Sequence, residues 1–199
     1  AQARHSFHKL QFAFRPEAPA VASVTEVPIP RGDGSALLAR FYRPLASHRD
    51  EVLPLLIYLH GGGWCVGDVP SYDVLCRELA NGSDCAVVSV DYRLAPEHPF
   101  PAAVEDARLA FDWCAGNAGL LGVDVERIAL GGDSAGGNLS LVTALDLRQQ
   151  PTRPVFLMLV YPSTEILSAR PSRARYADGY FLDLETLQWF FERYLPEGN

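Results

Sequence analysis

Gly132-Asp133-Ser134-Ala135-Gly136 lies inside RIALGGDSAGGNLSLVTAL, residues 127–145, where an apolar run meets small residues and a helical pattern follows at once. A G-x-S-x-G between a strand and a helix makes a nucleophile elbow. The small flanking residues let the two elements approach closely, so the serine hydroxyl projects above a sheet with the positive end of the helix behind it. Ser134 is therefore the expected nucleophile, and acyl transfer the expected chemistry. Glycine-rich turns also cradle phosphate. A P-loop, however, ends in Gly-Lys-Ser/Thr and this segment has no lysine, and glycines at 131, 132, 136 and 137 do not make G-x-G-x-x-G. No nucleotide binding is expected here.

A serine attacking a carbonyl generates a tetrahedral oxyanion, which needs N–H donors fixed on one oxygen. LIYLHGGGWCVGDV, residues 56–69, offers bare backbone: three consecutive glycines after an apolar run, costly in backbone entropy and with no side chain to pack. The amides of Gly62 and Gly63, with that of Ala135 next to the nucleophile, are the expected oxyanion hole, where side chains would obstruct substrate. A merely flexible turn would not explain why a second glycine-rich element also follows a strand. His60, at the end of its strand, reads as an orienting or capping residue rather than a general base.

Positioning these groups requires a scaffold. After about residue 50, short β-rich runs alternate with helical segments, the signature of a mostly parallel α/β sheet with helices on both faces. Strands are expected near 24–29, 36–42, 54–59, 85–91, 127–131 and 155–161, the first two antiparallel through the RGDG turn at 31–34. Val104, Ala107, Phe111 and Cys114 predict a helix over 103–115, with Pro101 near its start and Gly116 at its end. A second helix is expected over 136–149 with Leu139, Val142 and Leu145 inward, and a third over 72–81. DLETLQWFFERYL, 183–195, predicts an amphipathic helix capped by Asp183. Residues 1 to about 20 read as irregular, with Phe7, Phe12 and Phe14 in no strand period, so that two aromatic-rich ends meet over the sheet.

With 199 residues, 48% hydrophobic and 21% charged, the chain is long enough for one soluble domain with a sizeable core. A net charge of -7 without a lysine/arginine run argues against nucleic acid or an anionic membrane as partner. Cys65, Cys76, Cys85 and Cys114 form no CxxC pair and have no histidine at zinc-ligand spacing, so free, mostly buried thiols are expected and no metal site or cofactor is implied. Apolar runs such as VFLMLVY, 155–161, are too short to span a bilayer, and AQARHSFHKLQFAF lacks the apolar core of a signal peptide. A cytoplasmic location is expected.

HGGGW at 60–64, DYRLAPEHPFPAA at 91–103 and GDSAGGN at 132–138, in that order, resemble the hormone-sensitive lipase-like esterases, the bacterial family IV carboxylesterases of the α/β-hydrolase fold, over roughly residues 20–165. The resemblance implies a core over 23–164, with 1–22 and 165–199 forming a cap over an acyl pocket. Trp64, Tyr180, Phe181, Trp189 and Phe190 are the candidate pocket residues, although an aromatic stripe is as often plain core. It also implies that YRLAPEHPFPAA supports the site from beneath, with Arg93 paired to Glu97 and His98 structural.

The family completes its triad with an acid and a histidine that follow the nucleophile, whereas His5, His8, His48, His60 and His98 all precede Ser134. The triad acid and histidine are thus expected outside these residues, the chain resembling the first two-thirds of such an enzyme without its last strands. Asp133 is a poor substitute, because the elbow should aim its side chain elsewhere and an ordinary carboxylate is a weak base for a hydroxyl; Asp178, Asp183 and Glu185 fall in the cap. The expectation is a hydrolase of small, apolar carboxylic esters, nearly inactive as these residues alone. The alternative is a non-catalytic ligand-binding or regulatory remnant. The apolar VFLMLVY strand, left as an edge, is expected to need cover from a complementing C-terminal segment or a second copy of the chain.

Overall fold

The computed structural model describes residues 2–166 and 170–195. Its strands are β1 (Ser23–Pro30), β2 (Ala36–Arg43), β3 (Leu53–Leu59), β4 (Ala86–Val90), β5 (Val123–Asp133) and β6 (Phe156–Val160). Its helices are α1 (Gln2–Ala13), α2 (Asp73–Ser83), α3 (Ala102–Gly116), α4 (Ala118–Leu121), α5 (Ala135–Leu147), α6 (Pro171–Arg175) and α7 (Leu184–Tyr194). The strands form one sheet in the order β1-β2-β4-β3-β5-β6. β1, β2 and β4 pair antiparallel, while β4, β3, β5 and β6 run parallel.

The central strands are apolar throughout because both sheet faces are covered. Leu55, Ile57 and Leu59 of β3, with Val88, Ile128 and Leu130, pack under α3 and α5 against Ala107, Phe111 and Leu139. The alternate positions Leu56 and Tyr58, with Val87, meet Cys76 and Ala80 of α2 on the other face. The chain leaves β3 through α2 towards β4 on one side, and leaves β5 through α5 towards β6 on the other. Neighbouring strands whose exits diverge leave a crevice at their carboxyl ends. Leu59 and Gly132 are in register there, which puts the glycine loop and the elbow at the same end of the sheet.

The expected strands all form, as do the helices around 103–115, 136–149, 72–81 and 183–195. Four local expectations are corrected. The first residues are helical, as α1, rather than irregular; α1 buries none of its residues fully, so it lacks the apolar stripe that marks a helix in sequence. The short helices α4 and α6 were not expected, because four and five residues are too few to show a helical period. Leu145 faces outward, 53% exposed: it lies six positions beyond Leu139, about a third of a turn round the helix from it, whereas Thr143 and Leu147, at steps of four, are buried. Arg93 does not pair with Glu97. It binds Asp106, at 3.0 Å, and Glu105 on α3, while Glu97 takes Arg4 of α1.

Cys65, Cys76 and Cys114 are buried free thiols and Cys85 is half-buried; burial pushes the Cys76 and Cys114 thiols up to about 12. β6 is an outer strand with Phe156 62% exposed, the expected apolar edge. Among the described residues no helix is long and apolar enough to cross a membrane. Of the expected cap segments, residues 1, 167–169 and 196–199 lie outside the described residues.

Candidate active site

β5 ends at Asp133, the chain reverses at Ser134 with φ 50° and ψ -113°, and α5 begins at Ala135. A side chain at positive φ is strained by about 1–3 kcal/mol and needs its surroundings to hold it. Here the Ser134 N–H donates to Val160 O at 2.9 Å, and Ser134 O accepts from Asn138 N at 3.0 Å and Ser163 N at 3.1 Å. The turn also sits against the end of β3. A Cβ on Gly132 would lie 2.2 Å from Leu59 O, and one on Gly136 would lie 1.8 Å from the same oxygen. Both glycines are therefore required by close approach. Ser134 is half-buried, and among the described residues its hydroxyl has no hydrogen-bond partner.

The glycine loop starts at His60, which is fully buried and stacked on Tyr92 at 4.3 Å. Its Nδ1 lies 2.7 Å from Gly61 O. A carbonyl only accepts, so Nδ1 carries the proton. Burial holds the ring below its ordinary pKa, so the imidazole is neutral and bonded within its own loop. Gly62 and Gly63 then take φ of 117° and 56°. Gly62 O accepts from Cys65 N and Val66 N, each at 3.0 Å, and a Cβ on Gly62 would strike Val66 O at 2.1 Å. Among the described residues, the N–H groups of Gly62, Gly63 and Ala135 meet no acceptor. Of these three unpartnered amides, Ala135 adjoins Ser134, and Gly62 and Gly63 follow Gly61, whose own N–H bonds Asp133 of the elbow.

Asp133 ties loop and elbow together. Strand alternation turns its side chain to the α2 face, away from the nucleophile as expected. There Oδ1 accepts from Tyr58 OH at 2.7 Å and Gly61 N at 2.9 Å, and Oδ2 accepts from Tyr72 OH at 3.1 Å. Burial, reinforced by the Asp133 charge, pushes both phenols above their ordinary range, so they remain donors. Motif reading considered Asp133 only as a base and missed this role. The available signal was Tyr58, a polar-tipped residue two positions before His60 on the same side of an otherwise apolar strand.

A cavity of about 360 Å³ opens beside the loop, walled by Ala3 and Phe7 of α1, by Val66, and by Glu185, Trp189 and Phe190 of α7. The Phe190 ring lies where a Cβ on Gly63 would be, 2.2 Å away. Of the five pocket candidates, Trp189 and Phe190 line this cavity. Trp64 does not: at φ 60° it is buried flat against Tyr194, ring centroids 4.2 Å apart. Tyr180 and Phe181 are 59% and 98% exposed, and Phe181 borders a separate groove with Leu10 and Phe14. Asp183 caps α7 by accepting from Thr186 N at 2.7 Å, and His98 is exposed. Among the described residues no three His, Cys, Asp or Glu side chains are grouped to hold a metal ion.

A family model described as alpha/beta hydrolase fold matches residues 56–199. Ethyl acetate hydrolase of Pseudomonas putida is 37% identical over 195 residues, 97% of this chain and 61% of that protein. Carboxylesterase NlhH of Mycobacterium tuberculosis is 46% identical over 145 residues, 72% of this chain and 46% of that protein. Among solved structures, an ester hydrolase from the metagenome of Lake Arreo superposes with a TM-score of 0.93 at 43% identity, covering 98% of this chain and 62% of that one. An esterase of Pyrobaculum calidifontis superposes with a TM-score of 0.88 at 42% identity, covering 97% and 64%. The chain spans about half to three-fifths of the length of these curated relatives.

Proposed function

Because this chain belongs to the alpha/beta hydrolase fold family whose model matches residues 56–199, we propose that its elbow and glycine loop serve the hydrolysis of carboxylic esters. The observation that carries this reading is a serine held at positive φ, joined through Asp133 and Gly61 to a glycine loop whose next two amides, like that of Ala135, have no acceptor among the described residues. Ser134 Oγ attacks the ester carbonyl carbon, its proton passes to a general base, and the carbonyl oxygen takes the negative charge. Gly62, Gly63 and Ala135 donate to that oxyanion. Such donors are each worth roughly 10²–10³ in turnover because they are fixed before charge develops. Collapse of the intermediate expels the alcohol, which takes the proton, and leaves an acyl-serine. Water, deprotonated by the same base, then releases the carboxylate.

Every histidine here precedes Ser134, so on this reading the acid and the histidine base lie outside residues 1–199. α1 and α7 act as the cap, and the cavity they wall favours a small, apolar ester. Its apolar lining by Phe7, Trp189 and Phe190 supports that substrate class, as do relatives named for ester hydrolysis. The unpartnered Ser134 hydroxyl favours one competing reading, a binding protein without turnover.

The test uses the protein as its source organism makes it. Hydrolysis of p-nitrophenyl acetate and butyrate is expected, with Ser134→Ala lowering kcat on the order of 10⁵–10⁶, and a reactive phosphonate is expected to label the Ser134 peptide. Turnover that survives Ser134→Ala, or ester binding with neither turnover nor label, would overturn the proposal.

A further inference from the structure

We infer that Asp133 is a positioning residue whose carboxylate sets the oxyanion loop at its working distance from the Ser134 turn, acting through the Gly61 N–H. This rests on the ester-hydrolase reading. Asp133 ends β5 immediately before Ser134, and Gly61 immediately precedes the two donor glycines, so the 2.9 Å hydrogen bond between them joins the residue before the nucleophile to the residue before the donors. The contact is also steric: a Cβ on Gly61 would lie 2.1 Å from Asp133 Oδ2.

The carboxylate is itself aimed by two phenols on separate elements, Tyr58 in β3 and Tyr72 just before α2. Hydrogen bonds to an ionised acceptor are shorter and stronger than neutral ones. Removing the carboxylate leaves the Gly61 N–H and the buried Tyr58 hydroxyl, 1% exposed, without an acceptor. Gly62 and Gly63 have no bond of their own N–H groups to hold them among the described residues. Gly62 O is tied within the loop to Cys65 N and Val66 N, and the Gly61 N–H carries the loop's hydrogen bond to the elbow. Misplacing such donors by about 1 Å costs on the order of 10²-fold in rate.

Both carboxylate oxygens are occupied on the α2 face, which separates this role from that of a base. An asparagine can still accept from Tyr58 and Gly61 through its one carbonyl oxygen, whereas a base cannot be replaced in this way.

The test compares Asp133→Ala, Asp133→Asn and Tyr72→Phe in the complete protein with p-nitrophenyl butyrate. Asp133→Ala is expected to lower kcat about 10²-fold with KM within about threefold, Asp133→Asn to recover most of that loss, and Tyr72→Phe to cost less than about tenfold. Selective ¹⁵N-glycine labelling is expected to show the Gly61 amide proton far downfield in the parent and shifted upfield in Asp133→Ala. That readout needs no turnover, so it separates failure here from failure of the esterase reading. Unchanged kcat in a folded Asp133→Ala protein, or an unshifted Gly61 resonance, would overturn the inference. Should Asp133→Ala not fold, the same kcat and Gly61 readouts on a Tyr58→Phe/Tyr72→Phe double variant decide it: loss with an upfield shift supports the inference, and parent-like values overturn it.

Discussion

At the scale of single residues, His60 shows how burial turns a titratable group into a stability sensor. Its folded pKa lies below its ordinary value because burial outweighs the bond to Gly61 O and the nearby charges of Asp91, Asp133 and Asp68, all of which favour the cation. The unfolded chain thus binds the proton more readily. His60 costs nothing above the unfolded value near 6.5, and stability falls as pH drops below it, by at most about 1.4 kcal/mol per pH unit. Melting temperatures from pH 8 to pH 5 are expected to fall more steeply for the parent than for His60→Gln; equal slopes would sink this account. The elbow turn at Ser134 and the glycine loop at Gly62 and Gly63, to which the proposed roles are given, were legible in sequence because each lies in a contiguous motif. The partners of Asp133 were not, since Tyr58 and Tyr72 lie 75 and 61 residues away along the chain.

At the scale of elements, α7 and α1 make a useful contrast. α7 has an apolar stripe and a capping aspartate, both local signals, and it forms where they place it. α1 buries no residue fully and is held by tertiary polar contacts instead. Arg4 Nε donates to Cys65 O at 2.8 Å, its Nη2 donates to Ala95 O at 2.9 Å, and its guanidinium meets Glu97. The helix is thereby pinned to the segment that follows the glycine loop, with Ala3 and Phe7 on the cavity wall. Arg4→Ala is expected to speed amide exchange across residues 2–13 by at least about tenfold while the sheet stays protected. The KM for p-nitrophenyl butyrate is expected to rise. Unaltered exchange over α1 would show that other contacts hold it.

At the scale of the whole molecule, strand order decides where chemistry can happen. β3 and β5 are neighbours whose connections leave in opposite directions, and this opens the crevice that the glycine loop and the elbow share. The same topology leaves β6 outermost, with Phe156 exposed and one side of its backbone unpaired by any described strand. Exposed apolar edges pair with other chains. Residues 1–199 expressed by themselves are therefore expected to self-associate at micromolar concentration in sedimentation velocity, and Phe156→Lys to shift them towards monomer. Monomeric parent material would show that this edge is not adhesive.

The primary structure by itself determined the alternation of strands and helices, the turn that carries Ser134 and the glycines that leave its neighbours bare. Each of these depends on side-chain volume, period or backbone freedom within a few residues. Tertiary structure alone decided that the Asp133 carboxylate grips Gly61, that Trp64 packs away from the cavity under Tyr194, and that Arg4 holds α1 in place. Those outcomes depend on contacts between residues distant along the chain, and only the closed sheet brings them within hydrogen-bonding or van der Waals range.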